Sequence, residues 1–154
     1  MASIRTVVAQ DLNHLKLVID STELFPSELL DDMLSDYLTN EASTDIWLTQ
    51  IIDGQPIAVA YCAPERMTEG TYNLYLIAVH KDYQAQGIGG ELMTHLERLL
   101  ENKGVRILLV ETSGLPEYEL TRKFYDKYSY TREAVIRDFY KQGEDKVVFW
   151  KKLF

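Results

Sequence analysis

The run Gln84-Ala85-Gln86-Gly87-Ile88-Gly89-Gly90 has the residue types of an anion site. An apolar stretch of strand length, residues 74–79, precedes it, with a polar, turn-like segment 80–83 between. After it, Ile88, Leu92, Leu96, Leu99 and Leu100 recur at helical spacing. A strand, a glycine-bearing turn and a helix start leave unpaired backbone N–H groups at the positive end of a helix dipole, where an anion is favoured. Glycines let a phosphate approach the backbone. Two familiar phosphate loops do not fit. A dinucleotide fingerprint counted from Gly87 needs a third glycine where Leu92 stands, and a P-loop needs Gly-Lys-Ser/Thr where the chain has Gly89-Gly90-Glu91.

Metal chemistry has no such support. His14, His80 and His95 share no ligand spacing on one element, and there is one cysteine, so no metal site is expected. Cys62 lacks the His/Asn context of a nucleophile and reads as a core residue.

The pattern Gln84-x-x-Gly87-x-Gly89, preceded by Ile77-Ala78-Val79, resembles motif A of the GNAT superfamily of acetyl-CoA-dependent N-acetyltransferases. The resemblance implies that Gln84, Ala85, Gln86, Gly87, Ile88, Gly89 and Gly90 hold the coenzyme A pyrophosphate. It further implies that Ile77, Ala78 and Val79 offer backbone groups to the pantetheine arm and the acetyl carbonyl. Gln84 stands where the family more often has Arg, so phosphate binding should rest on backbone amides.

Residues 122–128 (RKFYDKY) resemble the family's second motif, and Tyr125 takes the place of the tyrosine that contacts the coenzyme A sulfur. Two departures stand out: the usual Gly-Phe is Ser129-Tyr130, and the usual Asn two turns earlier is replaced by Tyr118 or Glu119. The spacing from Val79 to Glu111 resembles that of the ribosomal-protein alanine N-acetyltransferases, which implies that Glu111 is the general base. The position where other members place a glutamate is Asn73, which cannot take a proton. Glu111 has an equally strong structural reading as a strand-end carboxylate paired with Arg106 or Arg122. Tyr125 also reads as a helix-face aromatic. A carboxylate near pKa ~4.3 is a weak base for an amine, so a bridging water or a raised pKa would help.

The elements that position these groups follow from pattern. Residues 4–8 read as a strand. Asp11 is a candidate N-cap for a helix over 12–20, and Ser27 for one over 28–40. Residues 45–52 alternate as a strand, Asp53-Gly54 signals a hairpin, and 57–63 return. Residues 71–79 form the next strand. Lys103-Gly104 ends the central helix, and 105–112 form a buried strand, parallel to the one before the helix through a right-handed crossover. A helix runs from Pro116 to about residue 127, with Leu120, Phe124 and Tyr128 on one face. Strands at 130–137 and 147–153 flank a polar tip, 138–145. This order matches the GNAT fold: α/β, a mostly antiparallel central sheet with one splayed parallel pair, and helices on both faces.

In similar enzymes that tip borders the acceptor side of the cleft. The resemblance therefore implies that Asp138 and Tyr140 meet the acceptor; a solvated hairpin tip is the alternative.

With 154 residues, 46% hydrophobic and 26% charged, the whole chain (1–154) reads as one globular acetyltransferase domain. A net charge of −8 argues against nucleic acid and for a cationic partner. No run reaches membrane-spanning length and no signal-peptide core is visible, so no membrane partner and a cytoplasmic setting are expected. The reading is transfer of acetyl from acetyl-CoA, as co-substrate, to a primary amine (small amine, amino acid or peptide N-terminus) by direct attack. A weakly catalytic acyl-CoA-binding module is the alternative, and a homodimer stays open.

Overall fold

A computed structural model describes residues 2–154. Its elements are β1 (Ala2–Thr6), α1 (Leu12–Thr22), α2 (Leu29–Thr39), β2 (Ile46–Ile52), β3 (Gln55–Pro64), β4 (Thr71–Val79), α3 (Ile88–Asn102), β5 (Ile107–Ser113), α4 (Glu119–Lys127), β6 (Thr131–Lys141) and β7 (Glu144–Lys152). The strands form one seven-stranded sheet in the order β1-β2-β3-β4-β5-β7-β6. One pair, β4–β5, is parallel, in a register from Thr71 opposite Ile107 to Leu74 opposite Val110; the rest are antiparallel. The mixed sheet, the order of elements along the chain and the four helices agree with the sequence expectation, which did not place β7 between β5 and β6.

Two compact units divide the chain: Met1–Ala63 with Leu76–Leu99, and Pro64–Tyr75 with Leu100–Phe154. In the first, α1 and α2 bury Leu15, Val18, Ile19, Leu30 and Leu34 against Trp47, Val59, Leu76 and Ala78. Trp47 stacks on Tyr61, its opposite on the neighbouring strand, with ring centroids 4.2 Å apart. The β2–β3 turn is as the sequence predicts, with Asp53 (φ 50°) and Gly54 (φ 81°) both left-handed, as a tight two-residue hairpin requires.

Asp11 is the N-cap residue of α1, as expected, but its side chain does not cap that helix, and the expectation for Ser27 fails. A 3₁₀ turn, Ala9–Asp11, precedes α1, and the Asp11 side chain makes no cap bond to that helix. Instead it accepts from Val8 N at 2.8 Å and from both terminal nitrogens of Arg5 at 2.7 and 2.8 Å. The N-cap position of α2 is Glu28, not Ser27. Ser27 contributes its carbonyl, which accepts from Leu30 N at 3.0 Å.

In the second unit, β7 lies between β5 and β6. Pro116 opens a 3₁₀ turn, Pro116–Tyr118, and α4 follows it. The expected apolar face is rotated. Leu120 is 81% exposed, and the buried residue is Tyr125. Five residues separate the two, which puts them about 140° apart at 3.6 residues per turn. The expected polar tip is also largely strand. β6 runs to Lys141 and β7 starts at Glu144, so only Gln142 and Gly143 turn. Asp138 supplies the irregularity instead, with φ 55°. Its N–H donates to Asp145 Oδ1 at 3.0 Å, and its own Oδ1 accepts from Gly143 N at 2.9 Å.

Candidate active site

In the first unit, β4 delivers the chain to the glycine-bearing turn. Ala78 is buried in the core, while Ile77 and Val79 are half-buried on the opposite side of the strand. His80 ends the strand as a capping residue. Its N–H donates to Ile57 O at 2.8 Å, and its Nδ1 accepts from Asp82 N at 3.1 Å. Lys81 N donates to Ser21 Oγ at 3.1 Å, which ties this corner to α1.

The backbone then alternates between the two halves of φ. Gln84 has φ −70°, Ala85 +62° and Gly87 +80°. The turn runs into the start of α3, whose first N–H groups have no intrahelical partner and favour an anion. Ala85 carries a Cβ in the left-handed region, a conformation that costs of order 1 kcal/mol or more and clusters at functional sites. Sequence reading gave no sign of this, because alanine does not advertise a positive φ. A Cβ built on Gly87 would meet nothing within 4 Å, so φ, and not crowding, demands glycine there. The space beside it is open for a ligand.

Gln84 Nε2 donates to Val79 O at 3.0 Å, so this side chain clips the turn to the end of β4. The first helical bond of α3 follows, Glu91 N to Gly87 O at 3.0 Å, with Ile88 and Gly90 buried beneath the opening turn and Gly89 half-buried. Glu91 is held at Oε2 by Gln50 Nε2 at 3.1 Å.

In the second unit, Glu111 sits on β5 opposite Val148 of β7. Its Oε1 is 3.1 Å from Lys146 Nζ, and its side chain remains 30% exposed. Lys146 lies two residues from Val148, on the same face and diagonal to Glu111, which is within reach of a long side chain. Its ammonium also sits 3.7 Å from the centroid of the Phe139 ring. The carboxylate is therefore paired, but not with the arginines the sequence suggested. Arg106 donates to Glu69 O. Arg122 donates to Ser113 O at 2.7 Å and to Leu115 O at 2.8 Å. Sequence reading missed Lys146, since only the β5–β7 register brings it to Glu111.

Tyr140 belongs to the same group. Burial pushes its phenol above the ordinary value, and the charges of Glu111 and Glu144, then Tyr118, push the same way. Tyr125 is buried among Phe124, Tyr130 and Phe149, with ring centroids 5.3, 5.8 and 5.3 Å away. Burial raises its phenol well above the usual range, so it stays protonated.

A second carboxylate stands near the position of Asn73. Asn73 is buried on β4, and its Nδ2 donates to Glu65 Oε1 at 3.1 Å; Tyr75 Oη donates to the same oxygen at 2.8 Å. Among the described residues no group of three or more His, Cys, Asp or Glu could hold a metal ion. No helix among them is long and apolar enough to cross a membrane. Taken unit by unit, one carries a glycine-bearing turn, open beside Gly87, at a helix start. The other carries a carboxylate paired with a lysine, a buried protonated phenol, and an aromatic ring against that lysine.

Residues 12–130 match the sequence profile of the Acetyltransferase (GNAT) family. A solved structure assigned to that family, from Desulfovibrio desulfuricans, is 31% identical, with a TM-score of 0.90 and all of both chains covered. The [ribosomal protein bS18]-alanine N-acetyltransferase of Haemophilus ducreyi is 26% identical over 137 residues, 89% of this chain and 88% of that protein. The fold is also that of an aminoglycoside 6'-N-acetyltransferase solved with coenzyme A, at 15% identity and a TM-score of 0.80, covering 99% of this chain and 97% of that one.

Proposed function

The chain belongs to the GNAT acetyltransferase family and is an acyltransferase, and from that premise we propose that it moves acetyl from acetyl-CoA to a primary amine. The observation that carries this reading is the Gln84–Gly90 turn, where Ala85 and Gly87 alternate in φ with their neighbours at the start of α3. The donor set fits a pyrophosphate: backbone N–H groups, a helix N-terminus and open space over Gly87. The backbone of Ile77, Ala78 and Val79 receives the pantetheine arm, and residues 1–154 act as one domain.

Glu111 takes the proton from the attacking amine, directly or through one water, as the nitrogen bonds to the acyl carbon. When the carbon–sulfur bond breaks, the electron pair stays on sulfur, and Tyr125 donates a hydrogen bond to it. Asp138 and Tyr140 meet the acceptor. The acceptor is a small amine, an amino acid or a peptide N-terminus, chemistry in line with relatives named for a protein alanine and for aminoglycosides.

A panel of such amines with acetyl-CoA, read by release of free thiol, checks the proposal. Acceptor-dependent release supports it. Tight acetyl-CoA binding with no release for any amine would leave a binding module in its place.

A further inference from the structure

Within the second unit, the parallel strands β4 and β5 are registered up to Leu74 opposite Val110. Opposed residues point the same way and successive residues alternate, so Asn73, Tyr75 and Glu111 share one face of this pair. Glu65, just past the end of β3, reaches the same face. Its Oε1 accepts from Asn73 Nδ2 at 3.1 Å and from Tyr75 Oη at 2.8 Å.

The two carboxylates of this face differ in how their charge is met. Glu111 has Lys146 Nζ at 3.1 Å. Glu65 is met by two neutral donors, and among the described residues no cationic side chain pairs with it. A carboxylate can only accept hydrogen bonds, so the Asn73 amide must turn its nitrogen to Glu65. That leaves Asn73 Oδ1 without a donor among the described residues, in a side chain aimed at Glu65 and only 1% exposed. An unpaired buried acceptor is costly. Glu65 is half-buried and Tyr75 is 50% exposed, so the carboxylate is open to a ligand. Acceptors thus outnumber donors around a negative charge that no cation offsets. A primary ammonium suits such a place, because it carries three donors, positive charge and no acceptor. A phosphate or a carboxylate fails on both counts.

We propose that Glu65, backed by Asn73 and Tyr75, binds an ammonium group of the acceptor other than the amine that is acetylated, so that the preferred acceptors are diamines. Which amine reacts rests on the acetyl-transfer reading above; the ammonium site does not. Glu111, its charge already met by Lys146, is left to the reacting amine.

Terminal diamines of butane, pentane and hexane, compared with butylamine, test this on the full chain. With acetyl-CoA, the best diamine should exceed butylamine in kcat/KM by about tenfold to a hundredfold, as a hydrogen bond to a charged group contributes, and chiefly through KM. Glu65→Gln keeps an oxygen for Asn73 and Tyr75 and removes only the charge. Its circular dichroism should stay native and its preference for the diamine should fall to near one. Calorimetry without acetyl-CoA should show the diamine binding more tightly than butylamine, and Glu65→Gln should abolish the difference. Diamine binding that needs Glu65, with no thiol released by any amine, would support the site and remove the acetyl-transfer reading. Thiol release with equal kcat/KM for butylamine and every diamine, or a diamine preference that survives Glu65→Gln, would overturn the site and leave that reading in place.

Discussion

Glu111 Oε1 and Lys146 Nζ are 3.1 Å apart across two neighbouring antiparallel strands, and the lysine has a side chain only 10% exposed. The lysine is fixed on its other side by the Phe139 ring. An ammonium held in this way pins the carboxylate in one place. It orients Glu111, which would otherwise be a freely rotating surface acid, as the proposed proton-accepting role requires.

Glu111→Gln should therefore keep the fold and lower kcat by about 10²- to 10⁴-fold, the usual range for loss of a general base. The KM for acetyl-CoA should hardly change. Lys146→Arg should retain more rate than Lys146→Ala if orientation is what the lysine supplies. Steady-state kinetics on the three variants decide it, and a wild-type kcat in Glu111→Gln would remove this carboxylate from the chemistry.

The turn at the start of α3 gives a binding prediction. Gly89→Glu adds bulk and negative charge beside the turn that carries left-handed Ala85 and Gly87. Acetyl-CoA affinity should be lost while circular dichroism stays native. Calorimetry showing unchanged affinity would move the pyrophosphate elsewhere.

Tyr125 is buried, and burial raises its phenol above the ordinary value, so in the proposed role it would donate a hydrogen bond to the leaving sulfur without giving up its proton. Tyr125→Phe should lower kcat by roughly tenfold to a thousandfold, in the range of losing one donor to a developing anion. Acetyl-CoA affinity should change little. Because the phenol stays protonated past its ordinary pKa of about 10, the rate should show no loss from its ionisation up to that pH.

The acceptor assignment is open to a salt titration. If Asp138 and Tyr140 draw in a cationic amine, rates at subsaturating amine should fall as salt rises, since exposed charges are screened over about 10 Å at 0.1 M. Asp138→Asn with Tyr140→Ala should raise the KM for the amine and leave that for acetyl-CoA in place. Asp138 also accepts from Gly143 N, so the tip conformation of the variant is checked by its thermal midpoint. Unaltered amine kinetics without salt dependence would place the acceptor away from β6.

Stability at high pH is set partly by Cys62. Burial, and after it the charge of Asp45, push its thiol from 9.0 up to about 12. The folded state holds the proton more tightly than the unfolded chain. This contribution is fully present below pH 9 and is lost as pH rises through the folded value. Between those limits the loss is about 1.4 kcal/mol per pH unit. Denaturant midpoints should fall from pH 9 to pH 11, and Cys62→Ala should flatten that fall. A slope unchanged by Cys62→Ala would assign it to the buried tyrosines instead.

Local rules carried much of this protein. The Asp53-Gly54 hairpin, the α3 stripe of Ile88, Leu92, Leu96 and Leu100, and the strand–turn–helix around Gly87 are read from neighbours in sequence, because a turn's φ values and a helix's buried face are decided within a few residues. The glycine turn and its family resemblance were legible for the same reason. Tertiary structure alone decided the rest. Asp11 looks like a helix cap by position, yet Arg5 on β1 and Val8 N claim its carboxylate. The 138–145 segment is polar enough to read as loop, yet β6 and β7 pair nearly to their tip around the irregularity at Asp138. Lys146 is 35 positions from Glu111, and only the order β5-β7-β6 makes them neighbours. Charge pairs and strand ladders depend on which segments the sheet lays side by side, and that choice rests on summed burial over the whole chain and not on any local spacing.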